Sequence, residues 1–197
     1  RDDDRHLLAR CDAVIKTVTE HLEKFRLQDG ALAIYDFIWT DFCDWHLEYA
    51  KQDLYGTDEA RRRQMLALMT GVFAKALKML HPYMPFLTEE LWHQMGYGTS
   101  DETIMRVLWP QPFSTTEAAT WGLSPEVTAY VDAKRELVTA GRALRSDYNI
   151  APSLFVKYVI QSVDVAAAER LQADLETLKQ QLRSEEIVIV TGTNCSD

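Results

Sequence analysis

Apolar residues recur every three or four positions through most of the chain. Leu7, Cys11, Val14, Val18 and Leu22 form the stripe of an amphipathic helix, and Asp2, Asp3 and Asp4 suit its positive N-terminal end. Gly30, after Asp29, is expected to end this helix or form a turn. A second helix is expected over 31–54, with Ile34, Ile38, Asp41 or Phe42, Trp45 and Tyr49 in step. Its aromatic bulk (Tyr35, Phe37, Trp39, Phe42, Trp45 and Tyr49) reads as core. Thr57 and Asp58 open a third helix, whose wide apolar face runs from Met65 to Leu80. His81-Pro82 interrupts it, and a short fourth helix from Thr88 to Met95 is stopped by Gly96 and Gly98. Residues 98–123 read as a surface connection held down through Ile104, Val107, Leu108 and Trp109. Its length calls for a short helix or strand inside it.

Ser124-Pro125-Glu126 starts a fifth helix, with Val127, Val131, Leu137 or Val138, and Leu144 facing inward and a stop before Pro152. The pattern then changes. Leu154–Ile160 is β-branched and aromatic, a sixth helix carries Leu171, Leu175, Leu178 and Leu182, and Ile187–Val190 is a second strand. The expected fold is therefore mainly α. A helical bundle over residues 1–150 is followed by a small strand-helix-strand α/β appendage over 151–197.

Composition changes this picture in two places. The formal net charge is −9, which taken globally opposes nucleic-acid binding, although binding follows local patches rather than the sum. Cys11, Cys43 and Cys195 are odd in number and far apart, which fits a reducing compartment, the cytoplasm, and no disulfide framework. No apolar run reaches the ~20 residues that span a bilayer, so no membrane partner is expected. The chain opens on Arg1 rather than Met, and is expected to be a piece of a longer protein.

Catalytic groups are not expected. Asp41, Cys43, Asp44 and His46 mix hard and soft ligands without a second Cys or His pair, so no metal is assigned. Glu89 and Glu90 diverge by ~100° on a helix and are better read as helix-start acids. His81 and His93 have no nucleophile at a recognisable spacing, and no glycine-rich phosphate loop occurs. What remains is cations beside aromatics: Arg5 and Arg10 on the first helix, Phe25-Arg26 at its far end, and Arg142 with Arg145 on one face of the fifth. Arginine and aromatic groups are what an unstacked RNA loop requires, though solvated or ion-paired surface roles would give the same pattern.

The segment His81-Pro82-Tyr83-Met84-Pro85-Phe86-Leu87-Thr88-Glu89-Glu90-Leu91-Trp92 resembles the HP(F/Y)MPF(I/L)TEELW segment of the class I synthetases for Val, Ile and Leu. Residues 35–48 are similar to YDFIWxxFCDWYLE of the valyl enzymes, with His46 in place of Tyr. Residues 142–152 are similar to their RxxRxEMNIxP, with Asp147 and Tyr148 in place of Glu and Met. The resemblance spans about Asp4 to Val190. It implies the helical anticodon-binding type of bundle, a valine-tRNA anticodon stem-loop as partner, and a monomer. The catalytic domain of the same parent chain, which uses ATP with Mg, would lie outside this fragment, as would the coiled-coil arm. No cofactor is implied for the fragment itself. Carried over residue by residue, the tRNA contacts fall at Arg5, Arg10, Phe25, Arg26 and Leu27, with Arg142, Arg145 and Asn149 as a second surface that could instead brace the bundle. Leu27 stands where the family often has an aromatic. The isoleucyl enzyme is the runner-up, and an acidic protein-interaction module is the reading from a different class.

Overall fold

The computed structural model describes residues 1–99, 101–151 and 153–192, so Pro152 and Cys195 lie outside the described residues. The chain divides into two compact units, Arg1–Thr128 and Ala129–Asp197. The division falls within the fifth expected helix rather than at 150.

The first unit begins with α1 (Asp2–Glu23), whose Leu7, Cys11, Ile15 and Val18 are fully buried. α2 (Leu27–Asp36) runs on into a π-helical stretch (Phe37–Leu47) and α3 (Glu48–Leu54). Gly30 is therefore not a stop. It lies inside α2, where a Cβ would sit 2.4 Å from the Tyr83 hydroxyl oxygen, so close approach, not a turn, explains it. The π-helical stretch buries Phe37, Asp41 and His46, spaced four and five apart, in keeping with its i→i+5 bonding. Tyr35, at the end of α2, and Trp39, one turn on in the π-helical stretch, face outward instead, 59% and 56% exposed and stacked with centroids 6.2 Å apart. These two aromatics are thus surface and not core.

α4 (Glu59–Leu80) starts where Asp58 Oδ1 accepts the N–H groups of Ala60 and Arg61 at 3.0 Å. It closes the core with Val72, Ala76 and Met79. Burying Val72 or Met79 contributes ~1.5–3 kcal/mol each. α5 (Pro85–Gln94) begins on Pro85, at the first helical position, three residues earlier than expected. The long connection holds a 3-10 turn (Ile104–Arg106) and α6 (Thr115–Thr120), the latter entered through a Ser114–Glu117 capping box. Ile104 and Trp109 anchor this connection, the latter through Nε1 donating to Thr19 Oγ1 at 2.8 Å, whereas Leu108 is 86% exposed.

Most of α7 (Pro125–Asp147) belongs to the second unit, with β1 (Val156–Ser162), α8 (Val165–Ala173), α9 (Leu175–Leu182) and β2 (Ser184–Thr191). The strands pair in parallel, Val159 opposite Val188. The single expected helix between them is two, broken at Asp174, whose carboxylate is held by Lys134 Nζ at 2.7 Å and Tyr130 OH at 2.9 Å. The inward stripe of α7 is Val131, Lys134, Val138, Gly141 and Arg145, while Leu144 is 51% exposed. A Cβ on Gly141 would lie 2.5 Å from Leu182 Cδ2, so this stripe stays narrow where α9 crosses it.

Candidate nucleic-acid interface

The turn between α1 and α2 is built from its hydrogen bonds. Phe25 N–H donates to Leu22 O at 3.0 Å and Arg26 N–H to His21 O at 2.8 Å, the paired bonds of a Schellman helix end. The residue between must be left-handed, and Phe25 has φ 56°. Glycine takes that position without strain, as Gly96 and Gly122 do at the ends of α5 and α6. A phenylalanine there is strained by ~1–2 kcal/mol, and its ring is 87% exposed, so burial offsets little of that strain.

Arg26 and Leu27 continue this exposed surface. Arg26 Nε donates to Asp29 Oδ2 at 2.7 Å, but both side chains are about half exposed, so a phosphate can replace the carboxylate at small cost. Leu27 is 56% exposed. Phe25, Arg26 and Leu27 therefore form one cluster: a ring, a guanidinium and an apolar contact at one helix turn.

Arg5 and Arg10 do not join it. At ~1.5 Å per residue, Arg10 lies about 20 Å along α1 from the turn, and Arg5 farther. Arg5 Nη1 bonds Asp2 Oδ1 at 3.1 Å, and its guanidinium covers Gly122, whose Cβ position is 3.3 Å from Nε. Arg10 Nε donates to Asp41 Oδ2 at 2.9 Å, tying α1 to the π-helical stretch.

In the second unit, Arg145 is 9% exposed and donates to four carbonyls: Ala151 at 3.1 Å, Leu154 at 2.7 Å, and Leu182 and Arg183 at 3.4 Å. Both of its terminal nitrogens are engaged by backbone carbonyls, so Arg145 braces this unit. Asn149, at φ 50°, is the left-handed residue of another Schellman end, formed by Asn149 N–H to Ser146 O at 3.0 Å and Ile150 N–H to Arg145 O at 2.8 Å. Asparagine is the common non-glycine choice there, so the position needs no functional explanation. Arg142 is exposed, with Nε 3.3 Å from Gln181 O.

The twelve-residue segment from His81 to Trp92 is a bracket. Thr88 Oγ1 donates to Met84 O at 2.9 Å and is hydrogen-bonded to His81 Nδ1 at 2.6 Å, fixing the α4–α5 corner. Glu89 accepts from Thr103 Oγ1 at 2.7 Å, Ile104 N at 3.3 Å and His93 Nε2 at 3.1 Å. The Thr103 bond foremost holds its carboxyl below the usual glutamate range. Sequence reading left unremarked the stacked Tyr35–Trp39 pair, whose 35–39 spacing gave no sign that the helix widens beneath it. Burial pushes the Cys11 thiol up to about 12, which leaves it inert. Among the described residues no helix is long and apolar enough to cross a membrane.

Residues 4–160 match the family described as the anticodon-binding domain of tRNA ligase. The chain is 34% identical over 185 residues to the valine–tRNA ligase of Rhizobium meliloti, covering 93% of this chain and 19% of that relative. It is 32% identical over 194 residues to that of Staphylococcus carnosus, covering 98% and 21%. To that of Geobacillus stearothermophilus it is 32% identical over 197 residues, again covering 98% and 21%. The chain thus spans about a fifth of the length of the curated relatives it matches.

Proposed function

Because the chain belongs to the anticodon-binding domain family of tRNA ligases, we propose that it recognises the anticodon stem-loop of a valine tRNA on behalf of a parent valine–tRNA ligase. A tRNA partner follows from the family, whose ATP is used in a catalytic domain. In the parent, the catalytic domain joins valine to tRNA in the cytoplasm, and this region holds the far end of the same tRNA. Holding it there sets where the acceptor end falls, so recognition reaches turnover as well as affinity. The valine-type relatives favour valine over isoleucine as the amino acid.

Phe25 carries the reading. A bulky aromatic kept in a left-handed turn position, nearly fully exposed and followed by Arg26, is explained by a ligand that uses its face. An unstacked base on that ring contributes ~1–3 kcal/mol, and Arg26 supplies charge for the adjoining phosphate. Arg5 and Arg10 are left as positions for sugar-phosphate contacts along the stem, and Arg142, in the second unit, as a separate candidate for phosphate.

The test is titration of the chain with a valine anticodon stem-loop and with a loop-scrambled control at two salt concentrations. Binding that prefers the valine loop and weakens steeply with salt is expected. Equal affinity for both loops would reduce the surface to a backbone contact, and salt-independent or absent binding would count against an RNA role for this unit.

A further inference from the structure

A cavity of about 480 Å³ opens beside the α4–α5 corner, away from the α1–α2 turn in sequence and lined by Lys78, Trp92, Gly98 and Arg106, with Asp101 and Glu102 also on its wall. We infer that this cavity binds a phosphate group. The inference stands apart from the anticodon reading, because it uses different residues and a different ligand contact.

Two cations line this space without a counter-ion among the described residues, and an unpartnered donor lies just behind its wall. Trp92 is 5% exposed, and its indole N–H is buried with no hydrogen-bond partner. A buried unsatisfied donor is unfavourable by ~1–3 kcal/mol, and such groups usually meet a ligand, an ion or a water. Nε1 is the atom nearest the Cβ position of Gly98, at 2.9 Å, so a glycine is what lets the chain pack against the indole edge there. Lys78 Nζ lies 5.6 Å from the centre of the Trp92 ring and makes no ion pair. Burial first, and the neighbouring Lys75 second, pull its pKa down, the condition an incoming anion would relieve. Arg106, at the end of the 3-10 turn, is likewise without an ion pair. This contrasts with Arg1, Arg10, Lys16, Arg26, Arg61 and Arg62, which all hold carboxylates.

The two acids on the wall do not fill the role of counter-ion. Glu102 accepts the Thr99 N–H at 3.0 Å, and that bond holds its carboxyl below the usual range. Asp101 is exposed and makes no ion pair with either cation among the described residues. A guanidinium and an ammonium together suit a tetrahedral anion with several acceptor oxygens, and the Trp92 indole behind the wall reports on its arrival. The volume lies within the range of small-molecule sites, so a phosphate monoester or one phosphodiester of an RNA backbone can enter.

The experiment follows the Trp92 indole N–H by proton–nitrogen NMR, assigned with Trp92→Phe, while inorganic phosphate replaces chloride at constant ionic strength. A saturable downfield shift in the millimolar range is expected. Lys78→Gln and Arg106→Gln should each weaken it about tenfold, the loss typical of one charged hydrogen bond. Lys78→Gln removes a half-buried charge, so its melting temperature should hold and its result remain readable. Phe25→Ala should leave the phosphate titration unchanged, which separates this site from the anticodon surface. If a valine anticodon stem-loop displaces the phosphate, the group belongs to an RNA backbone. If phosphate binds and RNA does not displace it, the ligand is a free phosphoryl compound. No saturable shift, or the same shift in both charge variants, overturns the site.

Discussion

Arg10 meets Asp41 through one 2.9 Å hydrogen bond from Nε, across the seam between α1 and the π-helical stretch. The two ends of the bond differ: the Arg10 side chain is 49% exposed and that of Asp41 only 6%. Removing the arginine leaves a buried carboxylate without this charge partner. Arg10→Ala is therefore expected to lower stability by about 1 kcal/mol, read as a lower urea midpoint at unchanged slope. Arg5→Ala should stay within about 0.5 kcal/mol, because Arg5 bonds Asp2 at the surface. Equal stability of the two variants would show that Asp41 does not depend on Arg10. Any loss of RNA binding in Arg10→Ala must then be compared with Arg5→Ala before it is assigned to a direct contact.

Arg145 is a second arginine whose work is structural. Four carbonyls accept from one guanidinium fork, and lysine cannot reproduce that geometry. Arg145→Lys should destabilise the second unit by about 2–3 kcal/mol, while Arg142→Ala changes little. Hydrogen exchange of the β1 and β2 amides would localise the effect. Unchanged protection there in Arg145→Lys would mean that the carbonyls find other donors.

Acid stability should depend on Arg61, which bridges Asp4 at 2.8 Å and Asp53 at 2.8 Å. Burial pushes the Asp4 carboxyl up, yet the Arg61 hydrogen bond, the Arg1 α-amino charge and the Arg61 charge together outweigh it and hold the pKa below its ordinary value. A group depressed in this way contributes its stability above the unfolded pKa of ~3.9 and loses it as pH falls through the lower folded value. The melting temperature should accordingly drop below about pH 4. Asp4→Asn should be less stable near neutral pH, with a shallower acid slope. Identical acid slopes in the two proteins would assign the acid sensitivity to other carboxylates.

How much of this was legible in sequence depended on what signal each residue carried. The stripe of α1, the Asp58 cap and the Ser124-Pro125 start were readable because period and capping chemistry act locally. The widened helix was not. Its aromatics lie on both faces, so Tyr35 and Trp39 looked as buried as Phe37. Lys134 carried no signal and Arg145 left two roles open for the opposite reason: they hold inward positions of α7, where charge signals surface unless the partners (Asp174, and the carbonyls near 151–154 and 182–183) are known. Of the eight candidate contact residues, Phe25, Arg26 and Leu27 come together because they are consecutive. Arg5 and Arg10 are separated from them by the length of a rigid helix, which residue spacing alone could have shown.

Phe25 offers the sharpest separation of function from folding, because its two roles respond to one substitution in opposite directions. Glycine fits the left-handed position that Phe25 occupies at φ 56°. Its greater freedom in the unfolded chain takes back part of that gain. Phe25→Gly should therefore raise stability by up to about 1 kcal/mol, since the ring is 87% exposed and little packing is lost. The same change removes the stacking face, and affinity for the valine stem-loop should fall by ~1–3 kcal/mol, or about fivefold to more than a hundredfold. Phe25→Trp should keep the strain and keep binding. A chain both more stable and weaker in RNA binding would mean that the turn retains its phenylalanine for the ligand. A chain that becomes less stable would place the ring in a packing role, and one that becomes more stable yet binds RNA equally well would remove Phe25 from the interface.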